Sequence, residues 1–168
     1  MGLWHRMLVL AAVTAAGCAP RDEAPDLTPA HAAAIEDSVR TFAQAVAADV
    51  SRGGPIAWRR HFAESPAFFM ASEGRLAFPN SETATRVIQD LARVIPYIEL
   101  RWGKGLRVDP LAPGLAILAA PYHEVQVDTA GHRVEENGFF TGLAEHRTGP
   151  WRLRNAHWSV AGPPPLVR

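Results

Sequence analysis

The stretch that most constrains this chain runs from Gly138 to Val160, GFFTGLAEHRTGPWRLRNAHWSV. Two apolar-rich segments flank Thr148-Gly149-Pro150, and the second alternates with period two. Trp151, Leu153, Asn155, His157 and Ser159 fall on one face; Arg152, Arg154, Ala156, Trp158 and Val160 fall on the other. Such alternation, broken by a Gly-Pro turn signal, predicts a long antiparallel hairpin. A three-residue loop sets Arg147 opposite Trp151, Glu145 opposite Leu153 and Thr141 opposite His157. A shift of one residue sets Phe140 opposite His157 instead. A lone hairpin is marginal in water, so the rest of the chain has to cover its apolar face.

The preceding chain is built to supply that cover. Thr28-Pro29 reads as an N-cap followed by proline at the first helical position. Ile35, Val39, Phe42, Val46 and Val50 then recur at helical spacing, with Glu36, Asp37, Arg40 and Gln44 off the stripe. Gly53-Gly54 stops this helix, and Pro55 opens a short second one through Trp58 and Phe62. Pro66 to Phe78 predicts a short hairpin about Glu73-Gly74. Asn80 or Ser81 caps a third helix with a stripe of Ala84, Val87, Ile88, Leu91 and Ile95, ended by Pro96. Tyr97 to Trp102, Leu115 to Asp128, Arg133 to Arg147 and Trp151 to Val160 read as strands, with a turn at Asp128-Thr129-Ala130-Gly131. The order predicts an α+β domain with helices on one face of an antiparallel sheet.

The 168 residues, 48% hydrophobic and 20% charged, suffice for one domain with a sizeable core plus appendages. Lysine plus arginine and aspartate plus glutamate number 17 each, so no net field draws the chain to nucleic acid.

Met1 to Arg6 is short and basic, Met7 to Ala16 is apolar, and Ala15-Ala16-Gly17-Cys18 closes the run. This predicts a signal peptide over residues 1–17, too short to span a membrane. Cys18 is the only cysteine, which excludes an internal disulfide. The closing residues resemble the lipobox of bacterial lipoproteins, with Ala15 where leucine is usual. The resemblance implies acylation of Cys18 and, with Ala19 rather than aspartate next, sorting to the outer membrane facing the periplasm. The alternative is cleavage after Ala16 and release of a soluble periplasmic protein. Residues 18–26 then form a Pro-rich, charged tether, residues 27–162 the folded domain, and residues 163–168 a tail that its prolines keep out of a sheet.

The element order, with the closing WRLRNAHWSV, resembles the nuclear transport factor 2-like superfamily, and within it the SnoaL-like branch. Trp151, Leu153, His157, Trp158 and Ser159 match that branch's final strand, with Asn155 where histidine is common; the first helix, His61-Phe62-Ala63 and the third helix also fit. The resemblance implies a cone: a curved antiparallel sheet wrapped on the long N-terminal helix, with a pocket at its open end. Phe42, Trp102, Thr141, Trp151, Asn155 and His157 are the expected lining. His157 is the candidate general base or donor; the competing reading is a wall histidine hydrogen-bonded beside Asn155 and Ser159.

Ketosteroid isomerases of this superfamily use a tyrosine on the first helix, an aspartate base on the first hairpin and a buried acid on a later strand. The matching positions here hold Phe42, Met70 and Thr141 or Gly142, which cannot perform that chemistry. SnoaL-type cyclases depend on a pocket aspartate paired with histidine, whereas Asp26, Asp37, Asp49, Asp90, Asp109 and Asp128 fall on polar helix faces, ends or turns. Tyr122 and Glu124 share one face of their strand, which would supply a buried carboxylate of raised pKa if it were internal; the other, with Ile117, Ala119, Pro121, Val125 and Val127, is more apolar and is the expected interior. The histidines show no metal-site spacing, and neither a phosphate loop nor a nucleophile motif is present, so no cofactor or metal is expected.

Three functions follow as expectations. One is a lipoprotein that holds a small apolar molecule in its cone without catalysis. The second is an isomerase, cyclase or hydratase acting through His157. The third is an assembly module dimerising through an outward face around Trp158, Arg152 and Arg154, since sheet-to-sheet dimers are common in the superfamily.

Overall fold

The computed structural model describes residues 27–162. The signal peptide, the lipidated Cys18, the tether and the tail expected from the sequence lie outside these described residues.

Helix α1 spans Pro29–Gly53. Thr28 caps it, its hydroxyl accepting from the His31 N–H at 3.3 Å. Val39, Phe42, Ala43, Val46 and Val50 form its buried stripe. At its C-terminal end Gly54 takes φ 66°, and its N–H bonds the Val50 carbonyl. A Cβ at Gly54 would also stand 2.8 Å from the Pro96 carbonyl oxygen, so glycine is required there twice over. A 3-10 helix over Pro55–His61 follows, then strands β1 (Phe69–Ser72) and β2 (Arg75–Phe78). Helix α2 spans Ser81–Val94 and is capped by Asn80, whose side chain accepts from the Thr83 N–H at 2.8 Å. Strands β3 (Tyr97–Trp102), β4 (Arg107–Ala112), β5 (Leu115–Val127), β6 (Arg133–Glu145) and β7 (Arg152–Val160) complete the chain.

The seven strands form one curved, open sheet in the order β2-β1-β7-β6-β5-β3, with β4 beside the other half of the β3 edge of β5. The sheet is mixed rather than wholly antiparallel. Strand β7 arrives last and enters between β6 and β1, running parallel to β1. Strand β4 is an addition to the sequence reading. Pro110 obscures it, and it is tolerated because β4 pairs with β5 alone, leaving its other edge unbonded.

The α1 side of the sheet is the inside. Ala116, Leu118, Ala120 and Tyr122 of β5, Phe140 and Ala144 of β6, and Leu153 and Ala156 of β7 are buried there. Two indole N–H groups tie sheet to helix: Trp102 Nε1 donates to the Ala43 carbonyl at 2.7 Å, and Trp151 Nε1 to Ser38 Oγ at 2.8 Å. The interior face of β5 is therefore the reverse of the one expected. Small side chains let the helix approach, and the bulkier Ile117 and Val127 point outward.

The alternation of β7 is also broken. Thr141 pairs with His157 and Leu143 with Asn155, but Ala144 pairs with Leu153, so Arg154 is an extra, unopposed residue. This β-bulge shifts the side-chain phase by one position. Leu153 faces inward as expected. Past Arg154, however, Ala156 and Trp158 turn inward while Asn155, His157 and Ser159 turn outward.

Candidate functional site

A cavity of about 330 Å³ opens at the end of the inner face. The 3-10 helix contributes Trp58 and its C-cap Phe62, the β1–β2 hairpin Met70, Glu73 and Phe78, and α2 contributes Ile88 and Leu91. Ile98 of β3, Tyr122, Glu124 and Gln126 of β5, Glu136 of β6, and Trp158 and Val160 of β7 complete most of the wall. The aromatic part is continuous: Trp58 stacks on Phe62 and meets Trp158 edge to face, with centroids 5.9 and 5.2 Å apart.

The polar part comes from alternate residues of β5. Glu124 is only 9% exposed, and its Oε1 accepts from Gln126 Nε2 at 2.6 Å. Directly across the sheet stands Glu136, a like charge. Burial raises the Glu124 carboxyl above its ordinary value; the Gln126 hydrogen bond opposes this, and Glu136 adds to it. The Tyr122 phenol is pushed up to about 12, first by burial and then by Glu136, Glu124 and Glu73. Tyr122 lies opposite Gly138, where a Cβ would collide with the Ser159 carbonyl oxygen and stand 2.7 Å from Tyr122 Cε1. The missing side chain at Gly138 is what lets the Tyr122 ring lie against the sheet.

At the mouth, Glu73 sits in the β1–β2 turn with φ 52°. Its N–H donates to the Trp158 carbonyl at 3.3 Å, and its Oε1 accepts from the Val160 N–H at 3.3 Å. These bonds tie the hairpin to β7.

None of the six residues expected to line the pocket lies on this cavity. Phe42 is in the core against the His61 ring, and Trp102 packs on Phe140 and lines a separate cavity of about 400 Å³. Trp151 borders another depression near His31 and Ile35. Thr141 and His157 pair on the exposed outer face, and Asn155 on the same side donates through Nδ2 to the Ala67 carbonyl at 2.7 Å. The bulge at Arg154 accounts for Asn155 and His157. It also turns Trp158 inward, so Trp158 is not an outward partner surface; Arg152 meanwhile donates to the Arg60 and Phe62 carbonyls. Tyr122 and Glu124, expected outside, are the polar groups inside. Their i, i+2 spacing was the available signal, but only knowledge of which face α1 covers could have used it.

His61 is a second buried titratable group. Its Nε2 lies 3.1 Å from Asp49 Oδ2, and burial lowers its pKa although Asp49 acts to raise it. It joins the 3-10 helix to α1 and does not border the cavity.

Comparison with solved structures bears on the fold. A nuclear transport factor 2-like superfamily protein from Salmonella enterica serovar Typhimurium aligns over 80% of this chain and 93% of its own, at 11% identity and a TM-score of 0.61. An uncharacterised protein with a cystatin-like fold from Caulobacter vibrioides aligns over 76% and 89%, at 16% identity and a TM-score of 0.57. A ketosteroid isomerase-like protein from Erwinia carotovora atroseptica aligns over 76% and 96%, at 14% identity and a TM-score of 0.59. No family model and no curated protein matches the chain. The fold is nuclear transport factor 2-like, in the cystatin-like class, and at these identities the likeness extends to fold alone.

Glu124 makes stability depend on pH in a stated direction. Its folded-state pKa lies above the unfolded value, so the folded chain holds the proton more tightly. Its contribution is complete below the ordinary value of 4.5 and is lost as pH rises through the higher folded value. Glu124→Gln keeps an acceptor for Gln126 and removes the titration. In urea unfolding across a pH series, the variant should gain stability over the unaltered chain as pH rises, with the gap closing in acid. A gap that does not change with pH would show that Glu124 titrates as an ordinary surface carboxyl.

Proposed function

We propose that the chain is a cell-envelope lipoprotein whose cavity binds a small, mostly apolar molecule without covalent chemistry. The observation that carries the binding reading is the cavity itself. It is concave and walled by indole, phenyl and aliphatic groups, with a few polar groups converging at β5. That is the usual make-up of a small-ligand site, and about 330 Å³ suits a compact ligand. Glu124 and Gln126 would fix the ligand's polar end, and Trp58 and Trp158 its body. The envelope placement rests on the run ending at Cys18. Cys18→Ala should move the chain from the membrane fraction to the soluble one; retention in the membrane would remove the anchor.

Trp58 and Trp158 give the binding reading its own reporter. Benzyl alcohol, a compact neutral probe, should change the tryptophan fluorescence of the full chain in a saturable way. Ala77, at the exposed rim on β2, can be enlarged without disturbing the core. Ala77→Trp should weaken that binding about tenfold or more. Saturable binding that ignores Ala77→Trp places the probe elsewhere, and the absence of saturation by benzyl alcohol and by its charged analogues alike sinks the reading.

A second reading is favoured by Glu124 specifically. A carboxyl of raised pKa beside a phenol in an apolar cavity can exchange a proton with a bound carbonyl compound, in the manner of an isomerase or dehydratase. Glu124 takes the place that the sequence reading gave to His157. Deuterium exchange into 2-cyclohexenone, followed by NMR, should then be faster with the chain than in buffer. Glu124→Gln should lower that excess about a hundredfold or more. Exchange no faster than buffer removes the reading.

A further inference from the structure

We propose that the cavity selects organic cations: compact molecules carrying one ammonium group on an apolar body. This rests on the reading that the cavity binds a small molecule, and it adds the sign of the ligand's charge. The charged side chains that line the cavity are Glu73, Glu124 and Glu136; among the described residues no lysine, arginine or histidine lines it. This is a local arrangement, because the whole chain has as many basic as acidic residues. Among the described residues, several arginines are paired elsewhere, with Glu36, Asp49, Asp90 and Glu145.

Glu124 is the group that needs a partner. Its Oε1 accepts from Gln126, while Oε2 takes no hydrogen bond among the described residues and is the acceptor open to a ligand. A buried carboxylate without a countercharge is costly, and a cation brought to it gains both the ion pair and a charge-assisted hydrogen bond. An anion would meet three carboxylates and no donor stronger than Gln126 and the Tyr122 phenol. The rest of the wall suits the same ligand. The rings of Trp58, Trp158 and Tyr122 border the cavity, and indole faces attract an ammonium group while their area covers its hydrocarbon. A metal ion is the other cation to weigh. Among the described residues, no group of three histidine, aspartate or glutamate side chains gathers closely enough to hold one. The sum of these features is one desolvated carboxylate, two rim carboxylates and an aromatic wall. That combination recognises an amine.

Calorimetric titration of the full chain at neutral pH with benzylammonium, benzyl alcohol and benzoate isolates the charge, since the three probes share one body. Benzylammonium should bind about tenfold or more tightly than benzyl alcohol, and benzoate more weakly than either. In Glu124→Gln the ratio of ammonium to alcohol affinity should collapse toward unity. Glu136→Gln, at a partly exposed position, should lower the same ratio and serves if the first variant does not fold. Equal binding of the ammonium and the alcohol by the unaltered chain would overturn cation selection and leave the ligand cavity standing. A preference that survives both substitutions would overturn it too. Binding of none of the three probes would overturn both readings together.

Discussion

The structure depends on a train of aromatic rings that fastens the last strand to the inside of the sheet. Trp102 packs on Phe140, Phe140 on Trp158, Trp158 on Trp58, and Trp58 on Phe62, with centroids between 4.4 and 5.9 Å. Phe140 is wholly buried at its centre. Burying one indole of this kind contributes on the order of 4 kcal/mol. The train can close only if Trp158 faces inward, and in an unbroken strand it would share an outward phase with Arg152. The bulge at Arg154 resolves the conflict. It leaves Arg154 Nε buried without a hydrogen-bond partner among the described residues, a penalty of about 1–3 kcal/mol. The indole burial outweighs it, and the nearby Glu145 carboxylate, 3.8 Å from the same guanidinium, softens it.

This constraint explains which parts of the molecule were legible in the sequence. Both helices, the 3-10 segment, the first hairpin and four of the five later strands were readable, because each is bounded by local chemistry. Thr28-Pro29, Gly53-Gly54, Asn80 and Pro96 fix helix ends through hydrogen bonds and excluded dihedrals that need no tertiary information. The hairpin itself was readable but its register only in part: beside the turn Glu145 pairs with Arg152 and Ala144 with Leu153, one residue off the register of a three-residue loop, and the bulge at Arg154 then brings Thr141 opposite His157. Two things were not readable. Strand β4 hides behind Pro110, whose cost depends on whether the strand has a neighbour on both edges.

The second unreadable feature decided the site. Period-two alternation states that residues share a face, but it does not state which face is inside. On β5 the bulkier set, Ile117 and Val127, suggested the interior, and the choice failed because the core that α1 shares takes in Ala116, Leu118 and Tyr122 from the other face. On β7 the choice was right for Leu153 and wrong past Arg154. One reversed strand and one bulge together exchanged the contents of the cavity. His157 and Asn155 went out, while Tyr122, Glu124 and Trp158 came in. An error of one residue in phase is small in the fold and complete in the chemistry.

The polar end of the cavity follows from how burial acts on two acids of different strength. Desolvation favours the neutral form of each. For Tyr122 the result is a phenol held near 12, which stays protonated across the neutral range and offers an O–H donor. For Glu124 the same effect acts on a far stronger acid, so its charge remains within reach of a ligand that can compensate it. Gln126 supplies one hydrogen bond to Oε1, enough to orient the carboxyl and too little to satisfy it. The cavity therefore presents a fixed donor beside an acceptor whose charge state depends on what is bound. A neutral carbonyl compound would engage the donor and bring the carboxyl no countercharge. An ammonium group would favour the charged form of the carboxyl and gain an ion pair where water competes least. The same two side chains thus serve either ligand, and the presence of Glu73 and Glu136 at the rim, with no opposing base among the described residues, tilts the field toward the cation.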